Sequence, residues 1–429
     1  MFRSYYSVGS VLAATLVFGL TILGCEGEVP ESSSPSQAAN WYRGNLHTHS
    51  LWSDGDEYPE VIAGWYKQHG YDFLALSDHN ILSRGEKWIN VRESRGGLEA
   101  FRAYREQFGE EWVETREENG ELSVRLKTLE EFRGRFEEPG DFLMIQSEEI
   151  SDAYEDKPVH LNATNIQELI EPQGGESVHE VLQNNIDAVL EQRRQTDRPM
   201  FPHINHPNFY YAVKPADMIP LEGERFFEVY NGHPAVHNEG DDEHPSTERI
   251  WDIVLTKRLE QDRPVMYGLA VDDAHNYHTY DSEHSNPGRG WVMVRATELA
   301  PEAIVRAMQA GEFYSTSGVD LREISRDGAT IRLSVRPEEA VSYTIQFIGT
   351  REGYSAGRSS DATAPGDDSP PSYSEEIGLV LKEVEDSSAS YTMTGDEMYV
   401  RATVYSSKEK ENPYRAGEVE RAWIQPFTP

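Results

Sequence analysis

Fourteen histidines are spread along this 429-residue chain. Seven of them, His47, His49, His79, His160, His203, His206 and His275, fall at or just after short apolar runs, mostly beside Asp, Glu, Asn or Pro. Residues 45–55 read NLHTHSLWSDG and bring His47, His49 and Asp54 close together in sequence. On an extended segment side chains alternate, so His47 and His49 share one face while Thr48 takes the other. A shared face is what chelation requires. GLAVDDAH repeats the spacing with Asp273 and His275. One HxH pair is explained equally well by two hydrogen-bonded histidines at a strand end. That account must be repeated for each of the seven histidines, whereas a common metal site is invoked once.

Carboxylates accompany the imidazoles. QSEEIS puts Glu148 or Glu149 at the end of an apolar run, where either could bridge two cations, and VDDAH leaves the same choice between Asp272 and Asp273. GERFFEVYNGH ends a further run at Glu228. Mixed imidazole and carboxylate donors suit zinc, iron or manganese better than a structural zinc site built from thiolates. Two such cations, roughly 3.5–4 Å apart, acidify and orient a shared water and stabilise charge on the attacked group and leaving oxygen. The expected chemistry is hydrolysis by metal-activated hydroxide without a covalent intermediate. His203, His206 or His275, whichever is free of metal, would relay a proton. Arg289 in NPGRGW reads either as a loop salt bridge or as a donor to a phosphoryl group. Other chemistries lack their signatures: GxSxG, a strand-following GxGxxG and GxxxxGKS/T are absent. Cys25 is the single cysteine, so the body has no thiol nucleophile and the chain no internal disulfide.

These donors need elements to gather them. Pro59 at a first helical position, the apolar stripe Val61, Ile62, Trp65 and Tyr66, and Gly70 as terminator predict a helix. Phe73 to Leu76 predicts a short buried strand running into Asp78 and His79, and Phe142 to Ile145 another running into QSEEIS. Strand, helix, strand is the grammar of an α/β barrel or parallel sheet, where chemistry collects at the carboxyl ends of strands. Residues 84–140 read as an insertion that shapes or covers the site, with a helix near Leu98 to Phe108 and a hairpin about Asn119-Gly120.

The chain is long enough for two domains, since single cores stop growing near about 250–300 residues. Its formal charge of −36, from 75 acidic and 39 basic residues, argues against binding nucleic acid or an anionic membrane surface. Hydrophobic residues at 38%, with 8 Trp and 22 Tyr, argue against general disorder. Residues 1–24 hold the apolar run VGSVLAATLVFGLTIL after Arg3, short for a membrane span of about 20 residues but suited to an export signal. ILGC resembles the bacterial lipobox, with Cys25 the lipidated residue, and residues 25–40 form a Ser/Pro/Glu-rich tether. The expectation is an exported bacterial lipoprotein, anchored at the cell envelope through Cys25. After residue 318 the pattern changes to strands and turns, including ATIRLSV, VSYTIQFIG and MYVRATVYS, interrupted by a long Gly/Pro/Ser/Asp loop. Residues 319–429 are therefore expected to form a small β-sandwich-like domain.

The ordered set of HTH, SDG, SDH, SEE, VHL, NHP and DAH resembles the PHP family, named for polymerase and histidinol phosphatase, over about residues 41–318. HINHPNF, EVYNGH and GLAVDDAH are similar to its exported metallohydrolase branch related to carbaryl hydrolase. The resemblance implies a distorted (β/α)7 barrel, two or three divalent cations (zinc, manganese or iron) and phosphoesterase activity on small mono- or diesters. The branch points instead to carbamate, carboxyl-ester or amide hydrolysis. A non-catalytic binding protein ordered by metal is a third reading. Carried over residue by residue, the family pattern implies His47, His49, Glu149 and Asp273 around one cation. It implies Glu149, His160 and His206 around a second, and Asp54, His79 and His275 around a third. Ser147 stands where the family carries glycine, and His203 falls outside the ligand set, as a partner of substrate or of a ligand.

Overall fold

The computed structural model describes residues 39–223, 225–355 and 373–429. The expected signal, Cys25, all but the end of the tether, and most of the long Gly/Pro/Ser/Asp loop lie outside them. Among the described residues no helix is long and apolar enough to cross a membrane.

β1 (Asn40–Asn45), α1 (Pro59–Gln68) and β2 (Phe73–Leu76) realise the strand–helix–strand reading, with β1 and β2 parallel. Pro59 opens α1, where its missing N–H costs nothing, and Ile62, Ala63 and Tyr66 form the buried face. β3 (Lys87–Asn90), α2 (Gly97–Phe108), β4 (Thr115–Glu118), β5 (Glu121–Leu126) and α3 (Leu129–Phe136) follow. The hairpin turns at Asn119 and Gly120, both at positive φ (56° and 81°), as a type I′ turn demands. β3, β5 and β4 make a separate sheet. The apolar cluster of this insertion includes Leu51 and Trp52, so it supports the loop that carries Asp54.

β6 (Leu143–Tyr154) runs parallel to β2 and far beyond the predicted apolar stretch. Only Glu155 and Asp156 separate it from β7 (Lys157–Thr164), and so short a connection makes the pair antiparallel. α4 (Val178–Thr196) is capped by the Ser177 side chain, which accepts from Glu180 N. β8 (Phe201–Ile204), α5 (Pro215–Met218), β9 (Phe226–Asn231), α6 (Thr247–Leu259) and β10 (Tyr267–Val271) continue the fold. β8 is antiparallel to β7 and parallel to β9, and β9 is parallel to β10. β11 (Trp291–Ala296), α7 (Pro301–Gln309) and β12 (Phe313–Thr316) complete the mixed part. Among the described residues the remaining elements are all strands: β13 (Leu321–Asp327), β14 (Thr330–Val335), β15 (Tyr343–Arg351), β16 (Leu379–Val384), β17 (Ser388–Thr392), β18 (Glu397–Glu409) and β19 (Val419–Phe427).

Two expectations change. The first concerns the barrel: the antiparallel β6–β7–β8 stretch breaks strict alternation, and no ladder joins β10 to β1. The two ends meet through one bridge, Thr48 with Ala274, where His49 N donates to Ala274 O and Asp273 N to His47 O. The second concerns the boundary at residue 318. β12 pairs with β19, so one sheet of thirteen strands runs β10-β9-β8-β7-β6-β2-β1-β11-β12-β19-β18-β15-β16. The terminal strands do pack sandwich-like, since Ile331 and Leu333 share a cluster with Ile345, Phe347 and Val404. However, Tyr399, Tyr414 and Trp423 belong to the core formed by the mixed α/β elements, and residues 39–429 make one compact unit.

Candidate metal centre

Strand ends deliver the donors to one place. His47 and His49 lie just beyond β1, and Thr48 between them turns its hydroxyl the other way, to Tyr66 and Tyr277 (2.9 and 3.0 Å). The alternation read from HTH therefore holds, although β1 itself stops at Asn45. His79 follows β2 and bridges Glu149 of β6. His160 stands opposite Ser151 in the β6–β7 ladder, one diagonal step from Glu149. His206 follows β8, and Asp273 and His275 follow β10.

His47 Nε2 and His49 Nε2 are 3.1 Å apart, and Asp273 Oδ1 lies 3.3 and 3.2 Å from them. Glu149 closes the group, Oε1 at 3.5 Å from His47 Nε2 and Oε2 at 3.4 Å from His49 Nε2. The donors of His47, His49 and Asp273, about 3.2 Å apart, are spaced as ligands of one cation whose bonds to imidazole and carboxylate are about 2.0 Å. Two further groups flank it. Asp54 Oδ1 is 3.4 Å from His79 Nε2, 3.3 Å from His275 Nε2 and 3.9 Å from His49 Nδ1. Glu149 Oε1 is 3.0 Å from His160 Nδ1 and 3.5 Å from His206 Nε2, while Oε2 is 2.6 Å from His79 Nδ1.

This donor set fits divalent cations. It contains only imidazoles and carboxylates, and it is buried except at Asp54, His79 and His160. His49 Nδ1 and Asp54 Oδ1 are buried atoms with no hydrogen bond among the described residues, as expected of atoms kept for another partner. Burial opposes ionisation of Glu149, but His79, His160 and His47 hold its carboxyl well below the usual range. Burial, His275 and His79 push His49 down to about 3. His79 goes the other way: burial would lower it, yet Glu149 and Asp54 raise it to about 9. Cations would replace such protons, so binding releases acid.

Three ligating candidates, His79, Glu149 and Asp273, have an acidic neighbour facing away. Asp78, beside His79, accepts from Ser50 N and Oγ (both 2.8 Å) and from Ser53 Oγ (2.6 Å), which fixes the loop before Asp54. Glu148 accepts from Ile170 N (2.8 Å), and burial raises it to about 8. Asp272 accepts from Gly288, Arg289 and Gly290 N and from the Tyr66 hydroxyl, at 2.6–2.9 Å. The choices within SEE and VDDAH thus fall on Glu149 and Asp273 as the residues that face the histidines.

One expected substrate partner lies elsewhere. Arg289 is buried, and its guanidinium donates to Gly232 O, His284 O and Asp281 O at 2.7–2.8 Å. Further donations reach Asn412 and Pro413 O. With its donors spent on protein oxygens it pins loops together and offers nothing to a phosphoryl group. His203 is buried beside Glu228, 3.2 Å from Nε2 to Oε1, where with His47 it forms a further group able to hold a cation.

Other participants had no readable signal in the sequence. Glu228, seen there only as the end of an apolar run, lies 2.7 Å from His47 Nδ1 and accepts from His206 N (2.7 Å) and Asn231 Nδ2 (2.8 Å). Asn205 Nδ2 donates to Glu149 Oε1 (2.8 Å) and Asn231 Nδ2 to Asp273 Oδ2 (3.1 Å). The Arg95 guanidinium, more than half exposed, lies 3.3 Å from Asp54 Oδ2. Phe209 packs on the rings of His206 and His160, and Tyr210 beyond it is 74% exposed at φ 51°.

No protein-family model and no curated protein matches the chain. Among solved structures it is similar to a two-domain protein from Bacteroides vulgatus containing a predicted PHP-like metal-dependent phosphoesterase. That likeness has 15% identity and a TM-score of 0.37, over 90% of this chain and 95% of the other. An amidohydrolase from Chromobacterium violaceum with bound sulfate and no metal is similar at 13% identity and a TM-score of 0.27, over 56% and 91%. Likeness at this level assigns no chemistry, and the reading of the site rests on its own donors: several buried His/Asp/Glu groups, able to hold one or more divalent cations.

Proposed function

We propose that the chain is a metal-dependent hydrolase and that small phosphate mono- or diesters are its substrates. The observation that supports this best is the placement of Glu149, whose Oε1 faces His160 and His206 while Oε2 faces His49 and His79. A carboxylate so placed can join two cation sites. When bound, such a pair supplies an acidified water and stabilises charge on the attacked group and the leaving oxygen. The chain's own residues set the geometry. Glu228 orients His47, Asn205 orients Glu149, and Asn231 orients both Asp273 and Glu228. Arg95 beside Asp54 supplies an exposed guanidinium at the site, which favours an anionic substrate over a neutral carbamate, ester or amide.

The test is elemental analysis of the purified protein, followed by assays on phosphate mono- and diesters, carboxyl esters, carbamates and amides. Phosphate-ester turnover should disappear on chelation, return with zinc, manganese or iron, and be lost in His47→Ala, Glu149→Ala and Asp273→Ala proteins that keep native circular dichroism. Turnover confined to carbonyl substrates moves the reading to that class. A cation-loaded protein that hydrolyses nothing favours a binding protein ordered by metal. We also propose export and anchoring through Cys25; mass analysis of the mature N-terminus in a bacterial host should find it acylated, and an unacylated residue 1 start would rule this out.

A further inference from the structure

The segment after β9 ties a further histidine to the centre without making it a ligand: His233. Its backbone N donates to Asn231 Oδ1 (2.8 Å), and Asn231 Nδ2 donates to both Glu228 Oε2 and Asp273 Oδ2. The loop bearing His233 is thus braced on two carboxylates of the site. The ring stands edge-on to His275 (centroids 5.6 Å, 78°) and to Phe209 (6.1 Å, 80°), and Phe209 packs in turn on His206. Ala235 N lies 3.1 Å from His233 Nδ1. A backbone N–H can only donate, so Nδ1 is the unprotonated nitrogen and Nε2 carries the proton. Among the described residues no acceptor is bonded to Nε2, and His233 belongs to none of the groups that could hold a cation.

We propose that His233 is a catalytic residue: its neutral imidazole donates a hydrogen bond from Nε2 to a non-bridging oxygen of the substrate on which charge grows during hydrolysis. This rests on the metal-dependent hydrolase reading above. The role is electrostatic rather than acidic, because the neutral ring keeps its proton throughout and no bond to it forms or breaks. A fixed, partly buried donor needs no reorganisation as charge develops, and removing one such donor costs about 100- to 1000-fold in rate. His203 has no such freedom, since its Nε2 faces Glu228.

The experiment compares the full-length wild type with His233→Ala and His233→Gln, whose amide retains a donor. kcat on a phosphate monoester should fall at least 100-fold in the alanine protein and less in the glutamine protein, with cation content by elemental analysis and thermal midpoint unchanged. A fall of less than threefold overturns the proposal. Loss of a cation also overturns it, because His233 would then be a ligand. If the wild type hydrolyses no ester, the hydrolase reading fails separately, and binding of inorganic phosphate to the cation-loaded proteins still decides the donor role. There the wild type should bind at least tenfold more tightly than His233→Ala, and equal affinity overturns the inference. Imidazole nitrogen NMR of the wild type gives a readout independent of activity: the Nε2–H tautomer is expected, and an Nδ1–H ring would sink it.

Discussion

His47 Nδ1 lies 2.7 Å from Glu228 Oε1, and both side chains are completely buried. At that distance Nδ1 carries the proton and donates, which leaves Nε2, turned toward His49 and Asp273, as the nitrogen able to bind a cation. Glu228→Gln keeps the shape but loses the charge that holds this tautomer. Cation affinity should drop about 10- to 100-fold, measured by competition with a chromogenic chelator, while circular dichroism stays native. Equal affinity would mean that Glu228 only fills space.

Neighbouring acids should separate sharply. Glu149→Gln and Asp273→Asn each remove a carboxylate that faces the histidines, and each should lower the cation content of the folded protein. Glu148→Gln and Asp272→Asn leave that content intact, because these side chains hold Ile170 N and the 288–290 backbone instead. Asp272→Asn should be destabilised by about 1.5–3 kcal/mol through its weakened charged hydrogen bonds. Elemental analysis with denaturant unfolding distinguishes the two classes, and cation loss in Glu148→Gln would reverse the assignment within SEE.

Arg289→Lys bears on stability alone. A lysine cannot reproduce the planar fork that joins Gly232, Asp281, His284 and the 412–413 segment. Unfolding free energy should fall by about 3 kcal/mol, on the scale of losing one or two charged hydrogen bonds. The KM for a phosphate ester, measured on folded protein, should stay the same; a tenfold rise would return Arg289 to the substrate.

Lys410 makes stability depend on alkaline pH. It is buried among Tyr230, Glu418 and Arg289 O, and burial lowers it to about 8 despite the attraction of Glu418. Between about 8 and the ordinary lysine value of 10.5, the unfolded chain binds a proton that the folded chain has lost. Stability contributed by this group therefore rises with pH across that window, and the cost of burying the charge is fully felt below it. Lys410→Met should flatten this rise, seen as the difference between the two proteins' unfolding free energies from pH 8 to 10. Parallel pH curves would contradict the linkage.

Much of the local structure is legible in the sequence. Pro59 with its apolar stripe anticipated α1, the four apolar residues 73–76 coincide with β2, and Asn119-Gly120 turns the β4–β5 hairpin. These features depend on near neighbours, where backbone preference and side-chain period act directly. The antiparallel turn at Glu155-Asp156 is equally local but lacks the Asn-Gly or Gly that marks a two-residue hairpin, so the departure from strict barrel alternation is not legible in the sequence. The join of β12 to β19 could not be read at all, since Tyr314 pairs with Ile424 across a long stretch of chain.

The same division runs through the site. Residue type and spacing determined that His47 and His49 share a face and that imidazoles and carboxylates recur at strand ends, because alternation is a property of the extended backbone. Only the tertiary structure decided that Glu149 and Asp273, not Glu148 and Asp272, face the histidines, because the parity of a strand toward a core depends on what lies on either side. It alone removed Arg289 from the substrate and brought in Glu228, Asn205, Asn231 and Arg95. Those roles are distances through space between residues on different strands and loops, and a chain read in order carries no record of them until it is folded.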